Sequence, residues 1–278
     1  FFQAEDGIRD HCVTGVQTCA LPIYEDRAHW HRTQSLYNGM VHPLIRFGIR
    51  GVLWYQGENN GNEQRSYVDK FTALVAEWRR LWGRELPFYT VQLANWGRAT
   101  EDPAGADLGF ARCRMAQLLC TAIPRTGMAV TMDIGDAVDI HPHNKADVGL
   151  RLARWALKYE YGQELEPSGP LYASSKRDGD ALRVHFAHVG QGLMVGHKDG
   201  RTPVTEVKGE SLRGFAVAGA DKKWHWAEAQ IDGDTVVVRA AAVPEPAFVR
   251  YAFTANPAGC NLYNRDGLPA SPFRSDDG

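Results

Sequence analysis

The chain predicts an α/β fold, a parallel sheet followed by a small all-β unit, and three observations point there. From Tyr24 to about Gly162, short apolar runs alternate with stretches of helical period. After Pro167-Ser168-Gly169-Pro170 the texture changes, and Asp-Gly steps then punctuate strand-like runs. Strands alternating with helices at this spacing argue for a parallel sheet covered on both faces. Asp-Gly between apolar runs is hairpin chemistry. The composition agrees: 278 residues, 44% hydrophobic, with 8 Trp, 10 Tyr and 11 Phe to bury, exclude a disordered chain. No run of 18 or more apolar residues free of charges occurs, so no transmembrane helix is expected. The formal charge of −2 gives no reason to expect a nucleic-acid or anionic-membrane partner.

Residues 1–23 stand apart from this pattern. They lack the basic and long apolar regions of a signal peptide, and the blocks 1–10 and 13–23 resemble a read-through translation of a sequencing adapter. They are expected to form no domain and are excluded from fold reasoning. They hold one Arg and three carboxylates, so without them the 31 basic and 33 acidic residues become equal in number. Five Cys are too few for a disulfide scaffold, and only Cys113, Cys120 and Cys260 follow this stretch.

The elements then follow in order. Residues 51–55 form a short apolar run ending at a polar cluster, as a buried strand does when it delivers side chains to a site. Residues 66–82 read as a helix, because Tyr67, Phe71, Leu74, Val75, Trp78, Leu81 and Trp82 recur at threes and fours. Residues 87–94 and 128–133 are two further buried strands, separated by a helical stretch at 110–122. Residues 144–161 close the region as an amphipathic helix, with Gly162 in the place of a C-terminal cap. Beyond 168, strands are expected at 182–186, 212–217, 235–239 and 248–253, with hairpins at Asp178-Gly179, Asp199-Gly200 and Asp232-Gly233.

Two polar clusters could carry chemistry. The denser one, Asp136-Ala137-Val138-Asp139-Ile140-His141-Pro142-His143-Asn144-Lys145, lies between a strand and a helix start. A His beside a carboxylate in such a loop suits a general base held by its orienting anion. Two other readings remain open for it: a metal held by His141, His143 and Asp139, or a helix cap with solvated histidines. The second cluster, Gln56-Gly57-Glu58-Asn59-Asn60-Gly61-Asn62, follows the first strand. Amides beside a Gly can aim donors at an oxyanion, although Asn and Gly are also the commonest loop residues.

These residues also carry a resemblance. Leu36-Tyr37-Asn38-Gly39-Met40, Trp54-Tyr55-Gln56-Gly57-Glu58-x-Asn60, Trp78-Arg79-x-x-Trp82-Gly83, Phe88-Tyr89-x-Val91-Gln92-Leu93-Ala94-Asn95, Asp139-Ile140-His141-Pro142-x-Asn144-Lys145 and the tail from Asn261 to Arg274 resemble bacterial sialate O-acetylesterases of the SGNH hydrolase superfamily. The likeness runs from about Arg32 to Asp277. It implies a three-layer, flavodoxin-like parallel sheet, with residues 24–167 as the C-terminal half of the hydrolase domain and 168–278 as a β-rich C-terminal domain.

The resemblance further implies a serine esterase that removes acetyl groups from sialic acids or other O-acetylated glycans, with no cofactor and no metal. His141 matches the base and Asp139 is the candidate orienter. The superfamily places its Asp three residues before the His, where this chain has Val138, so Asp136 and a backbone carbonyl stand in reserve. Gln56, Gly57, Glu58 and Asn60 match the loop at the oxyanion and substrate side. The Gly-Gln-Ser-Asn motif of the nucleophile does not occur; Gly209-Glu210-Ser211 falls in the β-rich part, and Ser35 has no turn glycine before it. The chain is therefore expected to be the C-terminal portion of an esterase, lacking its nucleophile and inactive alone, with residues 52–55 left as an apolar sheet edge. An acetylxylan-type esterase and a non-catalytic glycan-binding protein, with Trp96, Trp224 or Trp226 as stacking platforms, are the alternatives. The family suits a periplasmic or extracellular parent, and the residues leave compartment and oligomeric state open.

Overall fold

A computed structural model of the protein describes residues 36–61, 63–105 and 108–276. The adapter-like stretch, Ser35 and Asn62 lie outside them. Strands β1 (Val52–Trp54), β2 (Phe88–Val91) and β3 (Thr126–Ala129) form a parallel sheet in the order β1-β2-β3. Helix α1 (Gln64–Trp82) connects β1 to β2, α2 (Gly109–Leu119) connects β2 to β3, and α3 (Lys145–Tyr159) follows β3.

Side-chain alternation along β2 sorts the layers. Phe88 points into a cluster with Tyr67, Phe71, Leu74 and Val75 of α1 and Phe110, Cys113 and Ala116 of α2. Tyr89 and Val91 point the other way, onto Val148, Leu152 and Trp155 of α3. The sheet is thus covered on both faces. Helix α3 packs close because Gly127 presents no side chain; a Cβ there would stand 2.3 Å from the Trp155 ring. Of the open readings for the 136–145 cluster, a helix cap is present: Asn144 Oδ1 accepts from Asp147 N at 3.2 Å, and Gly162, two residues past the C-cap Glu160, turns the chain at φ +68°.

From Leu171 onward every named strand pairs antiparallel. Strands β4 (Leu171–Asp178), β5 (Ala181–Ala187), β10 (Glu228–Asp232) and β11 (Thr235–Arg239) form one sheet, ordered β10-β11-β5-β4. Strands β8 (Phe215–Ala218), β9 (Trp224–Trp226), β12 (Phe248–Tyr251) and β14 (Phe273–Arg274) form a second, ordered β14-β12-β8-β9. A third holds β6 (Leu193–His197), β7 (Thr205–Glu206) and β13 (Leu262–Asn264). The Asp-Gly steps at 178–179 and 232–233 sit at the β4–β5 and β10–β11 turns, and Gly179 and Gly233 both take positive φ.

Leu182, Val184, Val236 and Val238 of the first sheet meet Phe215, Val217, Val249 and Tyr251 of the second in one core. Met128, Val130 and Met132, at the end of β3, belong to that same core. The β-rich part therefore covers β3 where α1 and α2 do not reach.

Several boundaries differ from the sequence expectation: β2 and β12 stop at Val91 and Tyr251, short of 94 and 253, and two others have a visible cause. Strand β3 starts and ends earlier than 128–133, because the chain turns after Ala129 and Ile134 N closes onto Thr131 O at 3.2 Å. Strand β8 begins at Phe215 rather than 212, because Gly214 at φ +87° interrupts the extended backbone.

Candidate active site

Both sequence clusters lie at the C-terminal ends of the parallel strands, the edge where open α/β sheets bind ligands. The loop after β1 carries Gln56 to Asn60, and the segment between β3 and α3 carries Asp136 to Asn144. Lys145 Nζ stands 4.6 Å from the centre of the Tyr55 ring and ties the start of α3 to the loop after β1. Ile140 packs into the cluster that contains Trp54, Leu93 and Trp96.

The first loop is held from beneath. Gly57 has φ +152° and is buried, and a Cβ there would stand 2.7 Å from Gln117 Nε2 and 3.2 Å from Cys113 Sγ. Only glycine suits that place. Gln117 Nε2 and Tyr67 Oη each donate to Gln56 O at 3.1 Å, while Gln117 Oε1 accepts from Leu93 N at 2.9 Å. The buried amide of Gln117 thereby locks the loop to the end of β2. Above it, Gln56 Nε2 donates to Asn60 Oδ1 at 2.5 Å, and Asn60 is buried. Glu58 is half-buried on the same short turn.

In the second segment the structure chooses among the carboxylates. Asp139 Oδ1 accepts from the backbone N of His141 at 2.8 Å and stands 3.0 Å from His141 Nδ1. The backbone hydrogen bond from His141, then its ring, hold the Asp139 carboxyl below the usual carboxylate range, so it is ionised at neutral pH. An ionised carboxylate can only accept, so the neutral imidazole carries its proton on Nδ1 and Nε2 is its basic nitrogen. Asp136 instead accepts from Val138 N at 2.9 Å, within its own turn. His143 Nε2 reaches the other Asp139 oxygen at 3.5 Å. Among the described residues no group of three or more His, Cys, Asp and Glu is arranged to hold a metal ion.

The loops at this edge are stitched to one another and to the β-rich part. Gly97 N donates to Ala137 O at 3.1 Å, and Gly135 N to Asn95 Oδ1 at 2.8 Å. Asn256 Nδ2 donates to Gly97 O at 2.7 Å, and its Oδ1 accepts from Asn95 Nδ2 at 3.2 Å. Arg114, wholly buried, donates to the carbonyls of Leu93, Ala94, Thr254 and Ala255 at 2.6–2.8 Å. Sequence reasoning missed Arg114, Gln117 and Asn256. The available signal was Arg114 and Gln117, two long polar residues three apart among the apolar residues of α2, where Arg112 is the one other charged residue.

Burial pushes the thiols of Cys113, Cys120 and Cys260 up to about 12. They are protonated packing groups, not nucleophiles. Of the aromatic candidates, Trp96 lies against Phe110 with centroids 5.2 Å apart, and Trp224 lies under the Arg250 guanidinium at 3.9 Å. Trp226 is exposed. Ser211 sits before β8 in the β-rich part, its carbonyl accepting from Asn261 Nδ2. No described helix is long and apolar enough to cross a membrane.

Comparison with known proteins adds the family. Residues 12–158 match the family described as "Carbohydrate esterase, sialic acid-specific acetylesterase". The match begins inside the stretch set aside as adapter-like. The chain is 30% identical over 269 residues to a sialate O-acetylesterase of Rattus norvegicus, covering 86% of the chain and 46% of that protein. It is 29% identical over 266 residues to the one of Homo sapiens, covering 86% and 48%. A solved structure of a novel carbohydrate acetylesterase from Xanthomonas citri superposes with a TM-score of 0.77 at 43% identity, covering 87% of this chain and 54% of that one. The chain spans about half the length of the curated relatives it matches.

Proposed function

Because the chain belongs to the sialic acid-specific acetylesterase family of carbohydrate esterases, we propose that its activity is the removal of O-acetyl groups from sialic acids or other acetylated glycans by Ser-His-Asp acyl transfer. The observation that carries the reading is the 3.0 Å contact between Asp139 Oδ1 and His141 Nδ1 at the C-terminal edge of the sheet. In this reading His141 Nε2 takes the proton of a serine hydroxyl as it attacks the acetyl carbonyl, and later returns it to the departing sugar oxygen. Asp139 holds the ring in the needed tautomer and stabilises the imidazolium. Gln56, Gly57, Glu58 and Asn60 form the oxyanion and substrate side, with Gly57 needed because the Gln117 amide and Cys113 pack where its side chain would stand.

The serine is assigned to no residue of this chain: the motif that carries it in the family does not occur here, and residues 24–167 are read as the C-terminal half of the SGNH hydrolase domain. Acetate release from 9-O-acetyl sialic acid and from acetylated xylan tests the proposal. The 278-residue chain is expected to release none, and the reading frame extended upstream of Tyr24 to a Gly-Gln-Ser-Asn motif is expected to turn over. Turnover by the 278-residue chain that disappears in His141→Ala would reveal a nucleophile within it. An extended protein indifferent to His141→Ala would overturn the esterase mechanism.

A further inference from the structure

A second recess lies away from His141, on the outer face of the sheet β14-β12-β8-β9. Its register sets Arg274, Arg250, Ala216 and Trp226 side by side across the four strands. The small Ala216 between two large neighbours leaves a depression. The loop between β2 and α2 roofs it: Trp226 Nε1 donates to Glu101 O at 2.7 Å, and Arg250 Nη1 donates to Ala104 O at 3.1 Å. The resulting cavity measures about 220 Å³, smaller than the roughly 300–1,000 Å³ of pockets that hold whole drug-sized ligands but room for a single ring, and Thr100, Asp102, Asn256 and Ala258 also line it. Trp226 is 46% exposed although its indole N–H is fixed, so the ring is held in place while much of its surface stays open. Asn256 binds Asn95 and Gly97, and Gly97 binds Ala137, so successive hydrogen bonds link the cavity lining to the segment that carries Asp139 and His141.

We propose that this cavity is a glycan subsite, separate from the His141 site, that stacks one neutral pyranose ring on Trp226. A rigid, half-open indole with hydroxyl, amide and carboxylate groups around it matches a sugar, which offers an apolar C–H face and a rim of hydroxyls. Charge selects the neutral class. Arg250 is the one cation among the described lining residues; it lies on the Trp224 face and shares the Asp276 carboxylate, at 2.8 and 3.2 Å, with neighbouring Arg274, and Asp102 at the cavity offsets the second positive charge. A sugar carboxylate would meet Asp102 without a cation committed to it. The inference rests on the proposed function only for the ligand class.

The test is a titration of the ¹⁵N-labelled 278-residue protein, following the indole N–H resonances, with that of Trp226 identified by its loss in Trp226→Phe. The probes are xylotriose and mannotriose, with N-acetylneuraminic acid as the anionic comparator. A neutral trisaccharide should move the Trp226 resonance saturably while N-acetylneuraminic acid leaves it in place. Ala258→Trp, which fills the mouth and leaves Trp226 intact, should weaken that binding at least about tenfold. Shifts confined to other indoles, no shift with either trisaccharide, or a larger shift with N-acetylneuraminic acid would each overturn the subsite. None of these would touch the esterase reading, which stands or falls on acetate release and His141.

Discussion

Asp139 grips His141 twice with one oxygen: Oδ1 accepts from the His141 backbone N at 2.8 Å and takes the Nδ1 side of its ring at 3.0 Å. The backbone contact fixes where the residue sits, and the ring contact fixes how the imidazole turns. A two-residue separation suffices because the backbone between them folds into a tight turn instead of running extended.

In a protein that carries the nucleophile, His141→Ala is therefore expected to lower the deacetylation rate on the order of 10³-fold, and Asp139→Asn to lower kcat steeply with little change in KM. Asp136→Asn and His143→Ala should stay within a few-fold, because Asp136 serves its own turn and His143 is 82% exposed at 3.5 Å from Asp139. Steady-state kinetics on the four variants check the ranking.

Gly57→Ala is expected to destabilise the fold by about 2 kcal/mol or more, from a disfavoured φ together with a contact at 2.7 Å to Gln117 Nε2. A lower urea midpoint at unchanged slope would confirm it. Stability equal to the parent would mean that the loop after β1 is not held as described.

Arg114 is charged at neutral pH, although burial brings its guanidinium down to about 10. Arg114→Met would remove the guanidinium from four buried carbonyls, of which Ala255 O keeps Trp96 N at 3.4 Å, at a cost of at least about 3 kcal/mol. Arg114→Lys should recover only part of this, since an ammonium cannot reproduce the planar fork. Thermal unfolding of the two variants reads the difference.

Asp276 supplies the pH dependence. Burial raises its carboxyl, but hydrogen bonds from Arg274 and Arg250 outweigh that and bring it to about 2, below an ordinary value of 3.8. A carboxyl depressed on folding contributes stability that is full above the unfolded value and is lost as pH falls toward the folded one. The expected loss is about 2 kcal/mol between roughly pH 4 and pH 2. Asp276→Asn should flatten that part of the stability curve, which urea midpoints at several pH values would show.

Much of the fold was legible because its signals are local. The period of α1, the cap at Asn144 and the Asp-Gly turns each depend on residues a few positions apart, and each reappears in the structure. The strand ends at Ala129 and Phe215 were less legible, since a turn at Thr131 and a positive φ at Gly214 override apolar runs that continue past them. At the site, the Asp139 to His141 segment was visible as a cluster of reactive types. Gln117 and Arg114 were not, because their partners Gln56 and Thr254 lie 61 and 140 residues away.

The sequence by itself determined the alternation of strands and helices, the change to hairpins after Pro170, and the two polar clusters that the fold carries to one edge of the sheet, because composition and period act over a few residues. The tertiary structure alone decided that Asp139 and not Asp136 meets His141, that a buried arginine joins the end of β2 to the β-rich part, and that Trp226 is exposed while Trp96 and Trp224 are half-buried. Those outcomes depend on which loop conformations and distant carbonyls come together when the layers pack, and no local pattern encodes that.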